Sequence, residues 1–179
     1  MVEQTLKGKV AVVSGSARGI GAAVCVELAS KGAKVVVNYP WEKEKSQALL
    51  VLERIRATGS SSASACVAIE ADLSTVEGPA HLIEETVKVF GDRIDILVNN
   101  AAIAIMRPLS EATLEQWDLQ VNLNGRGVWL LTKAVLPHLA NPSRIVVISS
   151  AGARQGYAGA SIYNGTKSMV ESFVRCWAL

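Results

Sequence analysis

No run of about eighteen apolar residues occurs in the 179-residue sequence, which excludes a membrane-spanning helix. Charge of one sign is not in excess either: 18 Lys and Arg against 16 Asp and Glu give a formal net charge of +2. That balance excludes a dedicated nucleic-acid binder and a protein built for a charged membrane surface. Cysteine is scarce, and Cys25, Cys66 and Cys176 can neither all pair nor form a metal-ligand spacing. No metal site is therefore expected, and the thiols suit a reducing, cytoplasmic setting. Residues Met1 to Val10 hold no apolar stretch followed by a cleavage site, so no signal peptide is expected. Repeats, low-complexity tracts and linkers are missing; Ser60 to Ser64 reads as a loop. What is abundant is apolar: 50% hydrophobic residues against 19% charged, enough for one sizeable core in a single domain over residues 1–179.

Short β-branched runs alternate with longer helical patterns. Strands are expected at Lys9–Ser14, Lys34–Asn38, Cys66–Glu70, Ile94–Asn99 and Arg144–Ser149. These runs are continuously apolar, as in parallel strands buried on both faces. Helices are expected over Ile20–Ser30, over Glu42–Thr58 and from the Gly78-Pro79 pair to Gly91, and a last one carries Tyr163 and Lys167. Thr113 followed by Gln116 is a capping-box signature for a long helix running to Leu139. Trp41, Trp117, Trp129 and Trp177 are expected to be packing residues. The repeated β-α alternation predicts an α/β fold with a doubly wound parallel sheet and helices on both faces.

The first strand runs into Ser14-Gly15-Ser16-Ala17-Arg18-Gly19-Ile20-Gly21, and a helix follows. Glycines there allow a tight turn whose backbone N–H groups approach a pyrophosphate at the helix N-terminus. Ordinary turns use glycine too, so the strand-turn-helix context carries the weight. With its lead-in Leu6-Lys7-Gly8-Lys9-Val10-Ala11, this turn resembles the short-chain dehydrogenase/reductase family, whose turn reads T-G-x-x-x-G-x-G. Ser14 keeps the hydroxyl of the family's threonine. The resemblance implies a Rossmann fold with Gly15, Arg18, Gly19, Ile20 and Gly21 around a nicotinamide cofactor.

An acidic residue at the end of the second strand would hydrogen-bond the ribose 2′-OH of NAD; here that position is Asn38. Without a carboxylate at position 38, and with Arg18 in the turn to meet a 2′-phosphate, the expected cofactor is NADP(H). Asn38→Asp is then expected to narrow or reverse that preference. Asp72-Leu73 resembles the family's adenine-contacting pair, and Asn99-Asn100-Ala101-Ala102 its N-N-A-G motif, with Ala102 in place of glycine at some cost in crowding.

Tyr163 and Lys167 stand four apart, on one face of a helix. The pattern by itself is common among exposed side chains, but this one follows the fifth strand, at the sheet end where open α/β sheets bind ligands. Ser150 precedes Tyr163 by thirteen residues, and Asn122 lies in Val121-Asn122-Leu123-Asn124-Gly125. Taken singly, Ser150 reads equally well as a loop cap and Asn122 as a core polar residue. Together, and in this order, they resemble the family's catalytic set. The resemblance implies Tyr163 as general acid/base and Ser150 as donor to the substrate oxygen. It implies Lys167 on the ribose hydroxyls and the tyrosine oxygen, and Asn122 holding a relay water. It implies reduction of a ketone to an alcohol, or the reverse, on a small-molecule substrate bound at Ser150 and Tyr163.

The ending Ser172-Phe173-Val174-Arg175-Cys176 is similar to polyhydroxynaphthalene reductases and related polyketide ketoreductases. Members of the family run longer than this chain, so the fold is expected to be C-terminally incomplete, lacking the last strands and the substrate lid. An exposed edge at Ile145–Ile148 and the Glu115–Leu139 segment then suggest a homo-oligomer, dimer or tetramer. The alternative reading is a nucleotide-binding regulator or scaffold that keeps the fold without turnover.

Overall fold

In the computed structural model, which describes residues 3–178, five parallel strands form one sheet in the order β3-β2-β1-β4-β5. Met1, Val2 and Leu179, where the N-terminal and C-terminal readings begin and end, lie outside the described residues. The strands are β1 (Val10–Val13), β2 (Lys34–Tyr39), β3 (Val67–Glu70), β4 (Ile94–Asn99) and β5 (Leu139–Val147). The first three crossovers are α1 (Gly19–Ser30), α2 (Lys45–Arg56, after a 3-10 turn at Glu42–Glu44) and α3 (Gly78–Phe90). Then come α4 (Leu114–Val121) and α5 (Val128–Val135), and α6 (Ser161–Trp177) follows β5.

The period of two along each strand sorts the core into two layers. Ala11, Val13, Val35 and Val37 pack with Cys25, Ala29, Ala48 and Ile55 beneath α1 and α2. Val10, Val12, Val36 and Leu97 pack with Leu82, Ile83, Leu131 and Val135 beneath α3 and α5. The doubly wound α/β architecture expected from the strand pattern is therefore present. Burial pushes the Cys25 thiol up to about 12, which makes it a packing residue. Among the described residues no helix is long and apolar enough to cross a membrane.

At the amino end of β1, the buried carboxylate of Asp95 accepts from Lys9 Nζ at 2.9 Å, Arg93 Nη2 at 2.8 Å and the Val10 N–H at 3.0 Å. Burial alone would push this carboxyl up; the donated hydrogen bonds outweigh it and hold it at about 2.

The long helix expected from Thr113 starts as read, with both halves of the capping box formed between Thr113 and Gln116. It does not run to Leu139. After α4 the backbone widens into a π-helical stretch, Asn122–Gly127, and α5 ends at Val135. Pro137 then carries no N–H to continue the ladder, and the chain passes through a 3-10 turn, Leu136–His138, into β5. β5 starts earlier than the expected Arg144 and ends before Ser149. Its Arg144–Val147 part pairs with Ile96–Asn99, after an irregularity that follows the Leu139–Ile94 pair.

Candidate active site

The order β3-β2-β1-β4-β5 reverses between β1 and β4, and a crevice opens where the chain leaves that point on both sides. There a cleft of about 390 Å³ is lined by Gly15, Arg18, Ile20 and Asn38 from the first half. Asp72 and Leu73, just after β3, line it from the same half, and Ala101, after β4, from the second. Gly15 (φ +56°) sits so close to the strand beyond that an added Cβ would lie 2.8 Å from Ala101 Cα. At Gly21 a Cβ would lie 2.6 Å from Asn100 Nδ2 and 2.8 Å from Ser16 Cα. These two glycines let α1 begin against the β4 loop. Arg18 precedes α1 without capping it, and no acidic residue occupies the first turn, so its N–H groups remain for an anion. Ser14 shows why a hydroxyl is kept before the turn: its Oγ donates to the Val98 carbonyl and accepts from the N–H groups of Asn100 and Ala101.

Two expected roles change on contact with the structure. Asn38 is buried, and its Oδ1 accepts from the Gly15 N–H at 2.9 Å. Its Nδ2 donates to the carbonyls of Tyr39, Ile69 and Ala71, the last at 3.1 Å. Its polar atoms are thus spent on holding the glycine turn to β2 and β3, because the strand's alternation points this side chain inward. Asn99 is likewise turned away from the cleft, its Nδ2 donating to Thr132 of α5 and its Oδ1 buried without a partner. The neighbouring Asn100 takes the turn instead, donating through Nδ2 to the carbonyls of Ser14 and Gly15. Ala102 is exposed, and no non-glycine residue among those described has a positive φ, so the expected crowding there does not arise.

Sequence reasoning missed two side chains at the cleft. Glu44, just before α2, accepts from Arg18 Nη1 with both carboxylate oxygens at 3.0 Å. Trp41 lines the cleft and is half exposed, as are Trp117 and Trp129, against the expectation that tryptophans pack inside. Their only sequence signal is position, a few residues beyond the end of β2. The Arg18–Glu44 pair is itself exposed and contributes about 0–1 kcal/mol, so an anion can compete for the guanidinium.

Beyond the cleft, α6 places Tyr163 and Lys167 on one face, with Nζ 5.8 Å from the Tyr163 ring centroid. Lys167 is buried; its Nζ donates to the Ile148 carbonyl at 2.7 Å, and burial pulls its ammonium below the usual lysine range. The Tyr163 hydroxyl makes no hydrogen bond to the described residues. Ser150 Oγ accepts from the Gly152 N–H at 3.1 Å, capping a 3-10 turn at Ala151–Ala153, and its own proton stays free to donate. That turn is seated on α6, with Ser168 donating to the Ala153 carbonyl and Asn164 to the Gln155 carbonyl. Asn122 opens the π-helical stretch, which packs against α6, and its side chain makes no hydrogen bond to the described residues. Ser150, Tyr163 and Lys167 are thus brought together at the carboxyl end of β5, with Asn122 on the neighbouring stretch.

Residues 9–179 match the short chain dehydrogenase family. The chain is a short-chain dehydrogenase/reductase. A short-chain dehydrogenase from Burkholderia cenocepacia, solved in complex with NADP, superposes with a TM-score of 0.89 at 34% identity, covering 97% of this chain and 69% of that one. The chain is 40% identical over 173 residues to a hydroxynaphthalene reductase of Aspergillus fumigatus and 39% identical over 175 residues to versicolorin reductase 1 of Aspergillus parasiticus. Both matches cover 97% of this short-chain dehydrogenase/reductase but only 61% and 64% of the relatives' own lengths.

Proposed function

We propose that this chain is the cofactor-binding and catalytic part of an NADPH-dependent reductase that converts a ketone to an alcohol, or runs the reverse reaction. The observation that carries the reading is Lys167 on α6, buried, tied to the Ile148 carbonyl and beside Tyr163. The close approaches at Gly15 and Gly21 and the uncapped start of α1 fit a dinucleotide's pyrophosphate. Gly19 and Ile20 belong to the same turn; Asp72, Leu73 and Ala101 would hold the nucleoside, and Arg18 the 2′-phosphate. Asn38 and Asn99 take part by supporting the backbone around these groups.

The cofactor would supply the hydride. Tyr163 would deliver its phenolic proton to the oxygen of the reduced carbon, and the Lys167 ammonium would steady the phenolate left behind. Ser150, with its hydroxyl proton uncommitted, would donate to the same oxygen as charge develops there. Lys167 would also bind the ribose hydroxyls, and Asn122 would hold a water linking Lys167 to solvent. The relatives' names, hydroxynaphthalene reductase and versicolorin reductase, support a fused-ring hydroxyaromatic or its keto form as substrate. The same reading takes the protein as a cytoplasmic homo-oligomer, dimer or tetramer, supported by the exposed apolar side chains of α4 and α5.

Fluorescence titration is expected to give at least about tenfold tighter binding of NADPH than of NADH, about 1.4 kcal/mol. Arg18→Ala should bring the two within about threefold. Tyr163→Phe should retain NADPH binding and lower ketone reduction by about 10²–10⁴. Equal affinities for the two cofactors, or near-normal turnover by Tyr163→Phe, would overturn the reading.

A further inference from the structure

Two residues after Asn122, on the π-helical stretch, lies a carboxamide to which neither the motif nor the cleft assigns a role. Asn124 is 1% exposed and does not line the cleft. Its Oδ1 accepts from the Ile103 N–H at 2.9 Å, and its Nδ2 donates to the Ile103 carbonyl at 2.8 Å. One side chain thus offers a single backbone residue both partners, as an adjacent β-strand would. The second Nδ2 proton goes to Thr166 Oγ1 at 3.1 Å, and Thr166, equally buried, donates to the Tyr163 carbonyl at 2.7 Å. Gln120, one turn earlier, also accepts from this loop, at the Ile105 N–H, but its Nε2 returns to its own helix at Gln116. Among the described residues Asn124 is the side chain that hydrogen-bonds both this loop and α6, while the Arg107 N–H donates to the Gly159 carbonyl just before α6.

Resting on the reductase reading above, we propose that Asn124 is the positioning residue of the site. It fixes Tyr163 against the loop after β4, whose Ile103 lines the cleft. Lys167 ties α6 to β5 through Ile148, and Asn124 ties the same turn of α6 to the opposite side through Thr166. Together the two ties set where the phenol stands relative to whatever occupies the cleft. The residue type follows from the partners: two oxygens and one N–H need two donors and one acceptor. Aspartate would set an oxygen against the Ile103 carbonyl, and serine lacks the reach for three partners. Asn124 acts through Thr166 and Ile103, so its loss should lower turnover while leaving cofactor binding in place.

The test compares Asn124→Ala, Thr166→Val, Thr166→Ser and the Asn124→Ala/Thr166→Val double variant, with α-tetralone as a fused-ring ketone and NADPH as reductant. Misplacing a catalytic group by a fraction of its contact distance lowers kcat by about 10–100-fold, and that loss is expected for Asn124→Ala and Thr166→Val. KM for NADPH should stay within about threefold, because uniform binding is untouched. Thr166→Ser keeps the hydroxyl and should return kcat to within about threefold of the parent, and the double variant should be no worse than Asn124→Ala by more than about twofold. A kcat for Asn124→Ala within about twofold of the parent, a Thr166→Ser variant as impaired as Thr166→Val, or losses that multiply would each overturn the proposal. Should Asn124→Ala fail to fold by circular dichroism, Thr166→Val, which deletes one hydroxyl, carries the test alone.

Amide hydrogen exchange reads the tie without turnover. Asn124→Ala should speed exchange at Ile103 and in the first turns of α6, and Thr166→Val only in α6. Exchange unchanged in both segments sinks the proposal whatever the activity. Exchange that responds as expected, in a parent chain that neither binds NADPH nor reduces the ketone, overturns the reductase reading and with it the catalytic consequence of the tie.

Discussion

Replacing Nδ2 of Asn38 by an oxygen would leave the Gly15 N–H its acceptor and turn three donated hydrogen bonds into oxygen–oxygen contacts. A buried carboxylate facing carbonyls either takes up a proton or loosens its surroundings. Asn38→Asp is therefore expected to lower stability by about 2–4 kcal/mol and to weaken NADPH and NADH alike, without exchanging their order. Thermal melting and fluorescence titration check this; a stable variant with reversed cofactor preference would show that the side chain faces the ribose. Asp95 supplies the pH dependence. Its carboxyl, held at about 2 in the fold against 3.8 ordinarily, contributes stability that is fully present above the ordinary value and is lost as pH falls through 4 toward 2. Urea unfolding at pH 7 should show Asp95→Asn weaker than the parent by about 2 kcal/mol, with the gap narrowed to about a third of that at pH 2.5. A gap of equal size at both pH values would contradict the ionic origin of the effect.

At the scale of elements, the glycine turn offers a contrast between two neighbours. An added Cβ at Gly21 meets Asn100 and the Ser16 backbone at under 3 Å, whereas at Gly19 it meets nothing within 4 Å and only the positive φ of +59° opposes it. Gly21→Ala should cost about 1–3 kcal/mol and abolish tight NADPH binding. Gly19→Ala should cost about 1–2 kcal/mol from backbone strain alone. Melting curves with and without NADPH separate the two. The turn was legible in sequence because Ser14 to Gly21 combines a strand, a spacing of glycines and a helix start in one short window. The direction of Asn38 was not, because it depends on which face of β2 each residue meets once α1 and β3 are in place. The π-helical stretch and the early start of β5 were equally hidden. Val128, Leu131, Val135 and Leu139 keep helical spacing across Pro137, and the pairing of Leu139 with Ile94 shows that the chain has already left the helix for the sheet. Asn124 escaped notice for a related reason: an asparagine two residues from a motif has no pattern of its own until its partners, Ile103 and Thr166, are seen.

Over the whole molecule, alternation of β and α units was enough to read the doubly wound sheet, since each strand run is buried and each crossover has length for a helix. What alternation leaves open is which outer surfaces stay uncovered. Leu114, Trp117 and Leu119 on α4 and Trp129 on α5 are all exposed, an unusual concentration of large apolar groups on adjoining helices. Light scattering is expected to show a dimer or tetramer at micromolar concentration, and Trp117→Glu combined with Trp129→Glu should shift it toward monomer without lowering NADPH affinity. A monomeric parent would remove this surface from consideration as an interface.

The placing of β1 in the middle of the sheet also governs the order in which the protein can form. β1 pairs with β2 about 24 residues away, but with β4 about 85 away, so loop closure favours a three-stranded half-sheet of β1, β2 and β3 forming before β1 finds its second neighbour. Both Ser14 to Asn100 and Lys9 to Asp95 close only at that later step. The cleft spans the same seam, so it does not exist until the halves have docked. A dinucleotide held in that cleft would bind only the docked form and stabilise it by mass action, by about 2.7 kcal/mol at a concentration of 100 Kd. The nucleotide in the cell would thus act as a latch on maturation, favouring chains whose two halves have met.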